Sequence, residues 1–139
     1  MISGVFALIF GSLFSFGGLP EASAAVVFGL LERGSRVDTL VIALGGGALA
    51  SGGGHVMKSL APHVEVVAVQ PAGAPAMALS WRRGSVVQTD TIDTISDGVA
   101  GRCPITEVLE DLLVVVDDVV LVGEESIKCD YERWVLSPG

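Results

Sequence analysis

Three consecutive glycines, Gly45 to Gly47, separate a continuous aliphatic run from a segment with a helical pattern. The run, Val37–Leu44, is typical of a strand buried on both faces of a parallel α/β sheet. The following segment predicts a helix over Ala48–Leu60, which Pro62 ends. A strand that turns through glycines into a helix directs several N–H groups at one point, where the helix dipole adds positive potential. This arrangement suits the binding of a phosphate at the carboxyl end of a strand.

The glycine spacing fits neither of two common nucleotide-binding motifs. No Gly-Lys-Ser or Gly-Lys-Thr follows, so the turn is not a Walker loop. Gly45, Gly47 and Gly52 miss the Gly-x-Gly-x-x-Gly spacing, and no acidic ribose-binding residue is well placed after the next strand. Two interpretations of the glycines alone stay open: a phosphate site, and a tight turn that lets a helix pack closely on the sheet.

The cysteines and histidines do not form a recognisable metal or redox motif. Cys103 and Cys129 lack metal-ligand spacing and a disulfide framework, so we expect two reduced thiols in a cytoplasmic protein. His55 and His63 have no obvious third ligand, so we predict no zinc site.

The composition predicts one folded, acidic domain. Of the 139 residues, 50% are apolar and 17% are charged, which argues against disorder. The formal net charge is -8 and the basic residues are scattered, whereas nucleic-acid binding needs a basic stripe. We therefore expect no nucleic-acid partner.

The first 19 residues, Met1–Leu19, form an apolar segment that we separate from the domain over residues 20–139. The segment is too short and too often interrupted by glycine for a membrane span, so we expect no membrane partner. Ala22-Ser23-Ala24 resembles a signal-peptide cleavage site, but no basic residue precedes Arg33. A signal peptide, a buried strand or helix, and a start that does not belong to the ancestral fold all stay open.

Strand and helix patterns alternate along the rest of the chain, which predicts an α/β fold with a mostly parallel sheet and helices on both faces. We therefore expect a three-layer α/β/α arrangement. The further predicted elements are a helix over Ala22–Glu32, a strand over Val64–Gln70, a helix over Ala74–Arg83 that Gly84 ends, a surface connection over Val86–Ser96, a helix over Ile105–Leu113 after Pro104, a strand over Asp118–Val122, and a last helix that Glu124 and Glu125 open.

Four ordered segments resemble one enzyme group. They read VDTLVIALGGGALASG, VEVVAVQPAGAPAMALSWRRG, DTISDGVAGRCP and VVDDVVLVGEESI, and they extend over roughly residues 37–127. In this order and spacing they resemble the threonine dehydratase and serine racemase group of fold-type II pyridoxal-phosphate enzymes. TISDGVA is the most specific of them, because it separates this group from cysteine synthases and tryptophan synthase β chains.

The resemblance implies a cofactor and a set of site residues. Pyridoxal 5'-phosphate would lie between two α/β domains, and the chain matches the C-terminal part of the larger one, as an incomplete fold-type II large domain. The glycine turn would hold the phosphate through backbone N–H groups, and Gly98 would lie near the cofactor ring. The group usually has glycine at position 48, where alanine fits if its φ is negative. The implied cofactor-binding residues are Gly45, Gly46, Gly47, Ala48, Leu49 and Gly98.

The chain departs from the group at two functional positions. Some members bind a divalent cation through a glutamate before a proline, where this chain has Gln70 before Pro71. A neutral amide is a poorer ligand for a hard cation, so we predict no metal site. The group's Schiff-base lysine, in a Ser-x-Lys-x-Arg-Gly motif before the glycine loop, has no counterpart. The chain has only Lys58 and Lys128, which we interpret as solvated surface lysines, so we predict no catalytic residue.

Three hypotheses about function follow. The first is a fragment of a threonine or serine dehydratase, a lyase with an amino acid as substrate, that is inactive alone and to which a missing partner chain could supply the lysine. The second is a module that binds pyridoxal phosphate or another phosphate without chemistry. The third is a truncated remnant without function, whose exposed sheet edges favour self-association. The expected partners are therefore a small amino acid, and either a second copy in a homodimer or a missing complementary chain.

Overall fold

The structure, a computed structural model, describes residues 5–8 and 37–136, with side chains over residues 37–130. Four parallel strands form one sheet in the order β1-β2-β3-β4. No helix in this part of the chain is long and apolar enough to cross a membrane. The elements are β1 (Val5–Leu8), β2 (Thr39–Ala43), α1 (Ala48–Leu60), β3 (Glu65–Pro71), α2 (Ala76–Arg83), a 3-10 turn (Asp97–Val99), α3 (Thr106–Val115), β4 (Asp118–Val122) and α4 (Glu124–Leu136).

The predicted α/β class with a parallel sheet is confirmed. The helix over Ala48–Leu60 and the strand over Asp118–Val122 begin and end where the sequence predicts. The other predicted elements from residue 37 onward are present, with ends that differ by one or two residues. The predicted helix over Ala22–Glu32 lies outside the described residues. Within the apolar segment at the start of the chain, Val5–Leu8 form a strand that pairs with β2.

The core lies between one face of the sheet and a layer of three helices. Leu40 and Ile42 of β2 alternate with partly exposed neighbours, and Val66 of β3 continues the same buried face. Buried residues of α1, α2 and α3 belong to the same core, and α3 packs against both α1 and α2. On the opposite face, the described residues include Val67, which is partly exposed, and Val120, which is 40% exposed. The described residues therefore bury one face of the sheet more fully than the other.

The carboxyl ends of the four strands share one edge of the sheet, because all the strands are parallel. The glycine turn follows β2 at this edge, and Gly123 leads from β4 into α4. The long connection between α2 and α3 also reaches this edge, where the Asp93 N–H donates to the Gly73 carbonyl just after β3, at 2.9 Å. This edge is therefore where the residues singled out by the sequence come together.

Candidate functional site

The glycine turn forms an uncapped helix N-terminus at the end of a central strand. The Leu44 N–H donates to the Val69 carbonyl at 2.8 Å, so β2 stays paired with β3 up to the residue before the turn. Gly47 then takes a left-handed conformation, with φ of 92°, and its carbonyl accepts the Ser51 N–H at 2.8 Å. The N–H groups of residues 48–50 precede this first helical bond, and no side chain caps the helix in the described residues. These donors are available to an anion.

The glycine turn has no room for a side chain at its first and last residues, but it has room at its middle residue. A Cβ placed on Gly45 would lie 2.9 Å from the Val99 Cα, and one on Gly47 would lie 2.5 Å from the Val108 Cγ1. A Cβ on Gly46 would meet no atom within 4 Å, and Gly46 is exposed. A phosphate group therefore has room at Gly46, beside the free N–H groups of the helix, so the residues of the turn fit the group that the resemblance implies.

The structure brings the second predicted segment against the turn. Gly98 is the middle residue of the 3-10 turn over Asp97–Val99, and it is exposed. Val99 packs directly on Gly45, where no side chain intervenes. Ala48 is the first residue of α1, so its φ is in the helical, negative range that alanine requires. Leu49, the next residue, packs partly buried against the core. The six predicted cofactor-binding residues thus lie on the glycine turn, at the start of α1 and on the neighbouring 3-10 turn.

Residues 89–102, which we call the 89–102 loop, run across the carboxyl edge of the sheet. The Thr89 N–H donates to the Arg102 carbonyl at 3.2 Å, and the Arg102 guanidinium donates to the Asp90 carbonyl at 3.2 Å, so the ends of the loop are close together. Between these ends the loop contacts the carboxyl ends of β3, β4 and β2 in turn. The sequence predicted a surface connection over most of this loop, but its contacts with three strand ends were missed.

Glu124 supplies the contact between this loop and the end of β4. Its Oε2 accepts the Ile95 N–H at 3.1 Å. The pKa of Glu124 is lowered first by a hydrogen bond from the Thr94 side chain and next by the Ile95 N–H. Burial opposes this shift, and the charge of Lys128 adds to it. The Ser96 N–H donates to the Thr94 hydroxyl at 3.1 Å. The sequence indicates Glu124 only as a favourable first residue of a helix. No nearby residue in the sequence indicates that it contacts the 89–102 loop.

Gln70, at the position where some members of the group carry a cation-binding glutamate, serves a structural contact. The side chain is fully buried, and its Oε1 accepts the Ala78 N–H in the first turn of α2 at 2.8 Å. Its Nε2 has no partner among the described groups. Residues 37–130 hold no group of three or more His, Cys, Asp or Glu side chains that could bind a metal ion.

The two lysines lie in different surroundings. Lys58 is in the last turn of α1, about 15 Å along the helix from the glycine turn. Its Nζ pairs with Asp117 at 2.5 Å and donates to the Val64 carbonyl at 3.0 Å. Lys58 is 25% exposed, so it is a partly buried surface lysine with a carboxylate and a carbonyl beside it. Lys128 is 49% exposed and pairs with Glu125 at 3.7 Å, as a surface lysine does.

Comparison with known proteins places this geometry in a family. Residues 19–134 match the family model described as pyridoxal-phosphate dependent enzyme. The chain is 41% identical over 112 residues to a biosynthetic L-threonine dehydratase of Bacillus subtilis, which covers 78% of this chain and 26% of that protein. The chain thus spans about a quarter of the length of this curated relative.

Solved structures give the same result for the fold. A maize serine racemase superposes with a TM-score of 0.78 at 26% identity, covering 84% of this chain and 35% of that one. The processed threonine deaminase isoform 2 of Solanum lycopersicum superposes with a TM-score of 0.76 at 26% identity, covering 82% and 34%. The predicted resemblance to the threonine dehydratase and serine racemase group is confirmed, and the partial coverage fits an incomplete large domain.

Proposed function

The chain belongs to the pyridoxal-phosphate-dependent enzyme family, and on that basis we propose that its glycine turn binds the phosphate of pyridoxal 5'-phosphate. The observation that supports the proposal is the uncapped N-terminus of α1, with open space at Gly46 and the Gly98 turn beside it. Gly45 to Gly47, Ala48 and Leu49 would hold the phosphate through N–H groups, and Gly98 would border the ring. When bound, this cofactor acts as an electron sink for an amino-acid substrate.

We further propose that the chain is a threonine or serine dehydratase-like fragment that binds the cofactor but does not turn over substrate alone. Relatives of this chain are named threonine dehydratase and serine racemase, and the chain spans only part of their length. Lys58 is held by Asp117 at the opposite end of α1, and Lys128 is paired with Glu125 on α4. Neither lysine is therefore positioned by an observed contact to act on a cofactor at the glycine turn.

A location in the cytoplasm is part of the same proposal. Cys103 and Cys129 are both free and exposed. Exposed thiols stay reduced in the cytosol, whereas oxidising compartments favour their conversion to disulfides. A clear disulfide between them in protein isolated from cells under thiol-blocking conditions would argue against this location.

A charge placed at Gly46 tests the phosphate site. In a titration followed by cofactor absorbance, we expect Gly46→Asp to weaken the binding of pyridoxal phosphate by about tenfold or more, because a carboxylate would repel the phosphate at close range. Gly46→Asn is the matched control, since it has the same size without the charge. The same affinity in Gly46→Asp and Gly46→Asn would count against the site.

An assay for 2-oxobutanoate, with threonine and pyridoxal phosphate added, tests the absence of turnover. The proposal expects no product above a protein-free control, because no lysine of the described residues is held at the turn. Robust turnover by the chain alone would contradict the fragment hypothesis, and it would leave the phosphate site to be judged by the titration.

A further inference from the structure

Resting on the proposed cofactor site, we propose that Glu124 is a positioning residue, which holds the 89–102 loop so that Gly98 stays beside the glycine turn. Among the described residues, Glu124 makes its hydrogen bond to the Ile95 N–H and none to the glycine turn. Its action would pass through the Ile95 N–H, which precedes Gly98 by three residues.

Between the Asp93 bond to the Gly73 carbonyl and the Val99 contact with Gly45, the carboxylate is the anchor of the loop, because apolar burial is weak there. Ile92 is 41% exposed and Ile95 is 54% exposed, so neither side chain fixes the loop to the core. A hydrogen bond from a backbone N–H to an ionised carboxylate is about twice as strong as one between neutral groups. The loss of the carboxylate would therefore free the segment around Ile95.

Gly98 is held between two anchors of different kinds. On one side, Ile95 is bound by Glu124; on the other, Val99 packs on Gly45. Only Ser96 and Asp97 separate Gly98 from Ile95. Because the Val99 contact does not involve Glu124, removal of the carboxylate would loosen the Gly98 turn and leave the phosphate-binding N–H groups in place.

Glu124 is well placed for this role because it begins a helix directly after a strand. Gly123 connects β4 to α4, and its carbonyl accepts the Ser126 and Ile127 N–H groups at 3.1 and 3.3 Å, which orders the first turn of α4. A functional side chain on such an element is held more precisely than one on a loop. Glu125, the next residue, is exposed and pairs with Lys128, so it provides a matched control.

The experiment compares the full chain with Glu124→Ala, Glu124→Gln and Glu125→Ala. Binding of pyridoxal phosphate and of inorganic phosphate is measured by calorimetry, and hydrogen exchange of the Ile95 amide reports the loop. We expect Glu124→Ala to weaken pyridoxal phosphate binding by about tenfold, to leave inorganic phosphate binding within about twofold, and to speed exchange at Ile95 by about tenfold. Glu124→Gln should recover part of each effect, since its amide oxygen still accepts the N–H, and Glu125→Ala should resemble the wild type.

The outcomes separate this inference from the proposed function. Wild-type affinity for pyridoxal phosphate in Glu124→Ala, with unchanged exchange at Ile95, would overturn the role of Glu124. Equal weakening for both ligands would also overturn it, because that is the effect of general damage to the fold. If the wild type binds neither ligand, the proposed function fails, and the exchange at Ile95 alone decides whether Glu124 anchors the loop.

Discussion

Asp117 joins three parts of the chain at the edge of the sheet opposite the glycine turn. Its Oδ2 accepts from the Lys58 Nζ at 2.5 Å and from the Val66 N–H at 2.7 Å. Burial by itself raises the pKa of Asp117, but the hydrogen bond from Lys58, the Val66 N–H and the Lys58 charge together outweigh it and lower the pKa. Since the folded pKa lies below the unfolded one, the ionised side chain stabilises the fold above the unfolded pKa, and this contribution is lost as the pH falls through the folded pKa.

Asp117→Asn therefore has a pH-dependent cost. At pH 7 we expect it to lower the free energy of unfolding by about 1 kcal/mol, a small value because the carboxylate is partly exposed. The difference from the wild type should shrink as the pH falls below the unfolded pKa of about 4, and it should be lost once the pH has fallen through the lower folded pKa. Urea unfolding at several pH values checks this, with the exposed Glu110→Gln on α3 as control. A difference that stays constant down to about pH 2 would contradict the account.

Single residues differ in how far the sequence reveals their roles. Gly45 to Gly47 are predictable, because consecutive glycines after an aliphatic run are a local signal with a local cause. Gly98 is predictable only through the resemblance, since nothing near it in the chain indicates that it meets the glycine turn. The contacts of Lys58 with Asp117 and of Glu124 with Ile95 join residues far apart in sequence, so only the fold shows them.

Helices α1 and α3 pack most closely where α1 has glycine, which carries no side chain. A Cβ on Gly54 would lie 2.5 Å from the Val115 Cγ2, and Val115 is 1% exposed. At the start of the same interface, the Ser51 hydroxyl donates to Asp111 at 3.0 Å. The small residues on this face of α1 let α3 approach, and this packing fixes the direction in which the N-terminus of α1 projects from the glycine turn.

Gly54→Ala should be destabilising although alanine favours helices. The gain in helix propensity is about 1 kcal/mol, whereas overpacking of a buried contact costs about 1 to 3 kcal/mol. We expect Gly54→Ala to lower the free energy of unfolding by a net value near 1 kcal/mol, and Val115→Ala alone to lower it by about 2 kcal/mol. The decrease in the double variant should be smaller than the sum of the two single decreases by about 1 kcal/mol, because each change relieves the other.

The control for this cycle pairs Gly54→Ala with Val114→Ala. Val114 is 75% exposed, so its truncation should not relieve the contact at Gly54. Thermal or urea unfolding of all variants gives the two coupling energies. Additive effects in the Gly54 and Val115 pair would show that this contact does not limit the packing of α1 on α3.

Local sequence patterns predict the positions of the helices and strands better than they predict which segments contact one another. The ends of α1 follow from the glycines before it and Pro62 after it, and β4 follows from a short aliphatic run after two aspartates. The polar residues over Val86–Ser96 correctly indicate a surface connection. They do not show where it attaches, because the attachment at Gly73 and Asp93 is made by backbone groups that carry no sequence signal.

For the whole molecule, the sheet order places the glycine turn at the end of a central strand, in a chain that spans about a quarter of the length of a related threonine dehydratase. The alternation of strands and helices was sufficient to predict the α/β class, because periodicity and glycine positions are properties of short segments. The order of the motifs identified the family. The division of the chain at residue 19, and its pairing with a second copy or with a complementary chain, stay predictions.

The central claim is that this molecule recognises the phosphate of pyridoxal phosphate through the N–H groups of the glycine turn. The most direct test is to measure the dissociation constants of pyridoxal phosphate and of pyridoxal, which differ only in the phosphate, for the same full chain at the same ionic strength. The account predicts that pyridoxal phosphate binds at least about tenfold more tightly, and that inorganic phosphate competes with it. Equal affinity for the two ligands, or binding that inorganic phosphate does not reduce, would contradict it.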